Sequence, residues 1–433
     1  MSARTEALIA AALLAAFAST ALAAPSVVRI THDDSGAYHL QVDGQPFVIR
    51  GAGLQDGNQE ALRERGGNAF RTWRPGDDAT AMLDRAKRNG LHVALGLEVE
   101  SERHGFDFDD DAAVSREVER IRAEALRYRD HPALLMWVVG NELNLDATNP
   151  RVWDAVNRMA AAIHAVDPNH PVMTTLAGID PKVVAEVKAR APQLDLLGVQ
   201  LYADIAGLDA KIRASGWTGP YVVTEWGPTG HWESPTTPWG APIEDDSARK
   251  AASIRERYLH EIAPANPQRL GSFVFLWGQK QERTPTWYGL FLESGESTPA
   301  VDALQTAWTG KAPPNRAPLV GSLTVDGRTA KSGIVLAPGT PHVARAKVSE
   351  PDGDRLQPRW YVLEESRATS IGGDAETRPT PMDVAAKIVD AGTARFVAPV
   401  HPGDYRLFVE VRDGRGHAGY ANLPFRVATP PTH

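Results

Sequence analysis

The chain has 433 residues, 42% of them hydrophobic, and a net charge of −8 from 46 Lys+Arg against 54 Asp+Glu. That length predicts two domains. The ordinary apolar content excludes global disorder, and the mildly acidic balance without a basic run argues against nucleic-acid binding. No cysteine is present, which removes disulfides, thiolate metal sites, iron–sulfur clusters and cysteine nucleophiles.

In chain order, residues 1–23 read as a secretory signal peptide. Arg4 precedes the apolar run Ala7–Ala18, and Ala21-Leu22-Ala23 is a small-x-small cleavage site. The run is too short to span a bilayer, and no later segment is long and apolar enough. The mature protein is therefore expected to be periplasmic or secreted, without a membrane span. Two short strands, VVRIT and YHLQVDG, follow around the turn signal Asp33–Gly36.

From there to Thr309, eight apolar strand candidates (46–53, 68–74, 91–99, 133–142, 171–178, 194–202, 221–227 and 271–278) alternate with helical segments at 57–65, 77–89, 111–129, 151–165, 180–190, 206–214, 247–262 and 298–307. Near-continuous apolar strands between amphipathic helices imply a buried parallel sheet. Eight such repeats predict an α/β fold, a (β/α)8 TIM barrel over 25–309. The competing open doubly wound sheet lacks a G-x-G-x-x-G after its first strand. A Pro-rich linker at 310–318 is followed by short alternating strands over 319–430, which predict a smaller all-β sandwich.

Functional residues of such a barrel sit where strands end. Strand 4 ends in Gly140-Asn141-Glu142 and strand 7 in Thr224-Glu225-Trp226. A carboxyl group at an apolar mouth can hold its proton near neutral pH while a hydrogen-bonded partner stays ionised. Two such groups about 5–5.5 Å apart are what a retaining glycosidase needs. No H-x-x-x-H and no G-x-S-x-G occurs, which disfavours metal or Ser-His-Asp chemistry, and no cofactor is expected.

The stretch Tyr128–Glu142 (YRDHPALLMWVVGNE) resembles the acid/base signature of clan A glycoside hydrolases, in particular the barrel domain of the family 2 glycosidases. LEVESERHG (97–105) is similar to the strand-3 segment of that family. The resemblance covers roughly residues 40–305. It implies Glu142 as general acid/base and Glu225 as nucleophile, with Arg71 binding that nucleophile and Trp277, at the end of strand 8, as an aromatic platform for the sugar. The position of Tyr202 at the end of strand 6 suits its hydroxyl to Glu225, and the Asn141 amide suits a sugar 2-hydroxyl. Trp226 and Trp73 are further candidate walls, and His104 is a candidate sugar contact or a loop-closing residue. His131 and His170, each before a proline, are expected to be structural.

The loops 229–242 and 279–288 hold Trp232, Trp239, Trp287 and Tyr288 among Gly and Pro, which suits an oligosaccharide-binding rim or packing against neighbouring elements. Lys280, Arg283 and Arg74 are candidates to recognise an anionic sugar, or solvated surface. The chain departs from family 2 in two respects. Its sandwich follows the barrel, and strands 1 and 2 lack that family's usual ends, so no galactose or glucuronic acid specificity is carried over. The expected partner is an oligosaccharide or polysaccharide, and the expected reaction is retaining β-glycoside hydrolysis. Transglycosylation by the same residues and a catalytically inactive carbohydrate binder are the alternatives. The sandwich resembles immunoglobulin-like or cadherin-like appended domains, with Trp360, Tyr361 and Tyr420 as its few exposed aromatics, and is expected to pack on the barrel or act as a spacer.

Overall fold

The computed structural model describes residues 24–382 and 386–428, so the expected signal segment 1–23 lies outside the described residues. Eight parallel strands close into a barrel in sequence order: β1 (Ile49–Gly53), β2 (Ala69–Arg71), β3 (His92–Leu97), β4 (Leu134–Val139), β5 (Val172–Ala177), β6 (Leu196–Gln200), β7 (Tyr221–Glu225) and β8 (Arg269–Val274). Every neighbouring pair is parallel, including the closing pair β8–β1. All eight expected strands are present, and the expected helices lie between them.

Local chemistry explains where the helices start. Asp110 accepts from the backbone of Ala112 and Ala113 at the head of Asp111–Tyr128, and Asp180 caps Pro181–Arg190, whose proline occupies the first turn. Asn58 and Asp246 cap Gln59–Glu64 and Ser247–Arg257 in the same way.

The segment 46–53 does not form one strand. Gln45–Phe47 pairs instead with Tyr38–Val42, making a three-stranded antiparallel sheet with Val28–His32, and the barrel strand begins at Ile49. This sheet drives Val28, Leu40 and Val42 against Ile49, Ala69, Leu135, Met136, Val138 and Phe273, plugging the end of the barrel opposite the mouth. Ser26 Oγ bonds the Leu134 carbonyl at 2.7 Å and His170 Nε2 at 2.9 Å, while His170 Nδ1 meets Asp167 at 2.8 Å. His170 is thus structural, and His131 packs in its turn against Asp84.

Beyond the barrel, one sheet pairs Leu319–Val325, Pro341–Ser349, Thr393–Val397 and Lys387–Asp390. The other pairs Val335–Leu336, Ala418–Val427, Gly403–Arg412, Gln357–Glu364 and Pro381–Met382. Their facing apolar side chains form a separate core. Trp360, Tyr361 and Tyr420, expected to be exposed, are all buried. Tyr361 stacks on Phe408 and donates to Glu410 at 2.7 Å, and Tyr420 faces the barrel.

Barrel and sandwich meet through buried polar groups. Lys250 Nζ contacts Glu244 Oε1 at 2.5 Å and the Tyr420 hydroxyl at 3.1 Å, and donates to the carbonyls of Thr286 and Trp287 at 2.8 Å each. Asn422 donates to Glu244 Oε2 at 2.5 Å, and Arg406 bonds Glu365, Asn422 and the Pro242 carbonyl. Among the described residues, no helix is long and apolar enough to cross a membrane.

Candidate active site

The mouth of the barrel collects most of the expected residues. Arg71, fully buried at the end of β2, reaches Glu225 Oε1 at 3.2 Å through Nη1 and Asn141 Oδ1 at 2.7 Å through Nη2. Trp73 Nε1 donates to Glu225 Oε1 at 3.1 Å, and the Tyr202 hydroxyl donates to Oε2 at 2.8 Å. Three donors, one of them a guanidinium, therefore converge on the Glu225 carboxyl group. Such a shell fixes the orientation of the carboxyl group.

Asn141 is held by its oxygen alone. Besides Arg71, Gln200 Nε2 at 2.8 Å and Thr175 Oγ1 at 3.2 Å donate to Oδ1. With the oxygen saturated by donors, the amide is locked in one orientation and its NH2 group remains available for an external acceptor.

Glu142 has a different environment. The turn after β4 needs two left-handed residues, Gly140 at φ +70° and Glu142 at φ +51°, on either side of Asn141. At Gly140 a Cβ would come within 2.6 Å of Leu143. At Glu142 a non-glycine residue holds a sparsely populated conformation, a kind of strain that gathers at functional sites. Its backbone N–H is anchored to the Thr175 carbonyl at 3.1 Å. No described residue hydrogen-bonds its carboxyl group. Burial and the facing Glu225 charge outweigh Arg71 and Arg103 and push its pKa from 4.5 up to about 8. The site thus pairs a carboxyl group that keeps its proton with a carboxylate clamped by donors.

Aromatic side chains wall the mouth, but not all those expected. Trp73 meets Phe275 edge-on at 5.7 Å, Tyr202 meets Phe275 at 6.0 Å and Tyr288 at 5.5 Å, and Trp232 stands edge-on to Tyr202 at 5.3 Å. Trp232 is 60% exposed, a large apolar face left open at the rim.

Trp277 and Trp226 are not in this wall. Trp277 stacks on Trp308 beneath the mouth and donates to the Asn58 carbonyl at 3.0 Å, and Trp226 packs on Tyr258 in the barrel–helix core. The residue after β8 that faces the site is Phe275; by Trp277 the chain has turned outward. His104 is exposed and bonds Ser101 and Asp374, so it closes a loop. Trp239 stacks with Arg426 of the sandwich, whereas Trp287 is buried behind Tyr288 in the aromatic cluster at the mouth, and Trp232 alone of the three loop tryptophans keeps an exposed face.

Sequence reasoning missed Gln200, Thr175 and Phe275, although each sits at a strand end, the signal that found the others. It also missed Glu282, which is buried and flanked by Lys280 at 3.0 Å and His231 at 3.5 Å. Burial alone would raise the Glu282 pKa, but these two bases hold it below the usual carboxylate value. Among the described residues, no group of three or more His, Asp or Glu is placed to hold a metal ion.

Residues 59–227, which carry β2–β7 with Glu142 and Glu225, match the profile described as glycosyl hydrolases family 2, TIM barrel domain. No curated protein matches the sequence. Among solved structures, the chain is similar to a β-glucuronidase from Dictyoglomus thermophilum, with 16% identity and TM-score 0.52 over 66% of this chain and 54% of that one. It is similar to a Bacteroides uniformis β-glucuronidase at 15% identity and TM-score 0.50, covering 93% and 48% of the two chains. A Bifidobacterium dentium β-glucuronidase complexed with coumarin-3-O-glucuronide gives 18% identity and TM-score 0.50, covering 66% and 49%. The chain therefore spans about half the length of these structures and shares their fold. The barrel resemblance drawn from residues 128–142 holds.

Proposed function

We propose that this chain is an exported, retaining β-glycoside hydrolase. Glu142 protonates the glycosidic oxygen as it leaves, and Glu225 attacks the anomeric carbon to form a glycosyl-enzyme ester. Glu142, now a carboxylate, then takes a proton from water, whose oxygen displaces Glu225 and frees the sugar with its configuration retained. The observation that carries this reading is the asymmetry of the pair. Glu225 has three donors and Glu142 none, so one is kept as a nucleophile and the other as an acid.

Around them, Arg71 and Tyr202 hold the nucleophile, and Asn141 offers its NH2 group to the sugar 2-hydroxyl. Trp73, Phe275 and Trp232 offer ring faces to the sugar. The signal-like segment 1–23 supports export to a periplasm or medium, and the sandwich is an immunoglobulin-like appendage packed on the barrel. The β-glucuronidase activity in the names of the similar structures is not carried over. Lys280 is already paired with Glu282, and Arg283 with Glu376 at 3.0 Å. Of the three basic candidates, Lys280 and Arg283 are thus neutralised and Arg74 is exposed, and a neutral β-linked glucan or oligosaccharide is the favoured substrate.

The test is a product assay of the mature protein on β-linked glucans, galactans, mannans and aryl glycosides, with anomeric configuration read by NMR. Turnover with retention, lost in Glu225→Gln on every substrate and in Glu142→Gln on the glycans, is the expected result. Inversion, or undiminished activity in either variant, overturns it.

A further inference from the structure

The candidate site is not bounded by the barrel alone. A segment of the sandwich, between its strands Gln357–Glu364 and Pro381–Met382, reaches over the barrel and contacts loops from opposite sides of the mouth. Asp374 meets Arg103 at 2.7 Å and His104 at 3.2 Å in the loop after β3. Gly372 lies against Leu145, three residues past Glu142: a Cβ there would come within 2.6 Å of Leu145 and 3.1 Å of Arg103. The adjacent Gly373 accepts from Lys280 Nζ at 2.6 Å, in the loop after β8. Glu376 clamps Arg283 of that same loop, accepting from its backbone N–H at 2.7 Å and its guanidinium at 3.0 Å.

In the ring of eight strands β8 lies opposite β4, so a segment touching the loops of both crosses the open face. Gly372 and Gly373 take left-handed conformations at φ +59° and +76°; a Cβ at Gly372 would press on Leu145 and Arg103, and one at Gly373 would meet only the flexible tip of Lys280. The fit is built into the chain. Lys280 also stands over the Phe275 ring at 6.0 Å, and the Arg103 charge bears on Glu142, which sets the crossing beside the reacting groups. Trp232, in the loop after β7, keeps a 60% exposed ring at the rim, beyond the His231 and Glu282 that adjoin Lys280.

We propose that residues 371–376 of the sandwich form an end wall of the site, so that the protein takes the terminal sugar of a β-linked glycan, with the rest of the chain leaving past Trp232. This inference rests on the glycosidase reading above. It assigns to Asp374 and Glu376 a part in specificity: they touch no reacting atom and act by positioning the wall.

The test uses the full-length protein with Asp374→Asn and Glu376→Gln combined, and Asp374→Asn alone as the milder variant should the double one fail to fold. In the Glu142→Gln background, calorimetry follows binding of β-1,4- and β-1,3-linked glucose oligomers of increasing length. In the active background, products from the corresponding polymers are sized. Hydrogen exchange across 366–376 reports whether the wall has been released. With the wall intact, affinity should level off at short oligomers and the polymer should yield one small product. With it released, affinity for the longest oligomers should rise about tenfold, near 1.4 kcal/mol, and internal cleavage should appear. Internal cleavage by the intact protein overturns the inference, as does an unchanged length profile in a variant whose wall exchanges freely. Both leave the glycosidase reading standing. Absence of binding and turnover with every glycan overturns that reading, and the inference with it.

Discussion

In the proposed mechanism Glu142 and Glu225 are the same residue type given opposite tasks by their surroundings. Glu142 must be protonated to act, and its pKa stands near 8, so kcat/KM should fall as pH rises through about 8. Glu142→Gln should lose that limb. It should lose about 10²–10⁴-fold activity on substrates with poor leaving groups, and much less on activated aryl glycosides, whose leaving group needs no proton. A pH–rate profile of both proteins on both substrate types checks this. The same shift has a consequence for stability. Because the folded state raises the pKa from 4.5, it binds the proton more tightly than the unfolded chain does. Stability therefore declines as pH climbs from about 4.5 to about 8 and is flat beyond. Glutamine carries no such charge, so Glu142→Gln should gain melting temperature over the wild type at pH 8.5 and little at pH 5, read by thermal unfolding at the two pH values.

At the scale of strands and loops, what was legible in the sequence was what periodicity and strand ends encode. Arg71, Asn141, Glu142, Tyr202 and Glu225 each lie within two or three residues of a strand terminus, where the backbone direction is still set by the barrel, and they converge. Trp277 lies three residues past β8, and after Phe275 the chain has already turned away, so its ring enters the helix layer. Distance from the strand does not separate Trp277 from Glu142, which also lies three residues past its strand; the path of the chain after the strand does, and local pattern does not encode it. Loop residues were legible only as a group: Trp232, Trp239 and Trp287 share one composition signal but go to the exposed rim, the sandwich and the buried aromatic cluster behind Tyr288. Substitution separates these fates. Trp232→Ala, at an exposed face, should leave the melting temperature within a degree or two and raise KM about tenfold, equivalent to ~1.4 kcal/mol of sugar contact. Trp277→Ala should cost about 3–5 kcal/mol of stability, as for other buried aromatics. Steady-state kinetics and denaturant unfolding of both variants give the comparison, and a Trp277→Ala protein of full stability would contradict its placement in the core.

Barrel and sandwich behave as one object because their contact is buried and charged. Nothing in the local pattern marks Glu244, Lys250 or Asn422, since their partners lie far apart in sequence; only the folded chain brings them together. Lys250 reaches across to Tyr420 of the sandwich while holding the carbonyls of Thr286 and Trp287, and Glu244 takes Thr284, Thr286 and Asn422 as well as Lys250. Burial works against the charge of each, and their mutual attraction restores it, holding the Glu244 carboxyl below its usual pKa and the Lys250 ammonium above. Removing one partner strands the other's charge in the interior, a loss of about 3–5 kcal/mol. Lys250→Met should therefore destabilise the protein strongly, and adding Glu244→Gln should recover part of the loss by removing the stranded carboxylate. Calorimetry should show one unfolding transition for the wild type and a split into two for Lys250→Met, since the junction is what couples the units. The same ammonium fixes the backbone just before Tyr288, which belongs to the aromatic wall, so Lys250→Met should also raise KM although it lies outside the mouth. A variant that loses stability with KM unchanged would show that the junction holds the two units together without shaping the site.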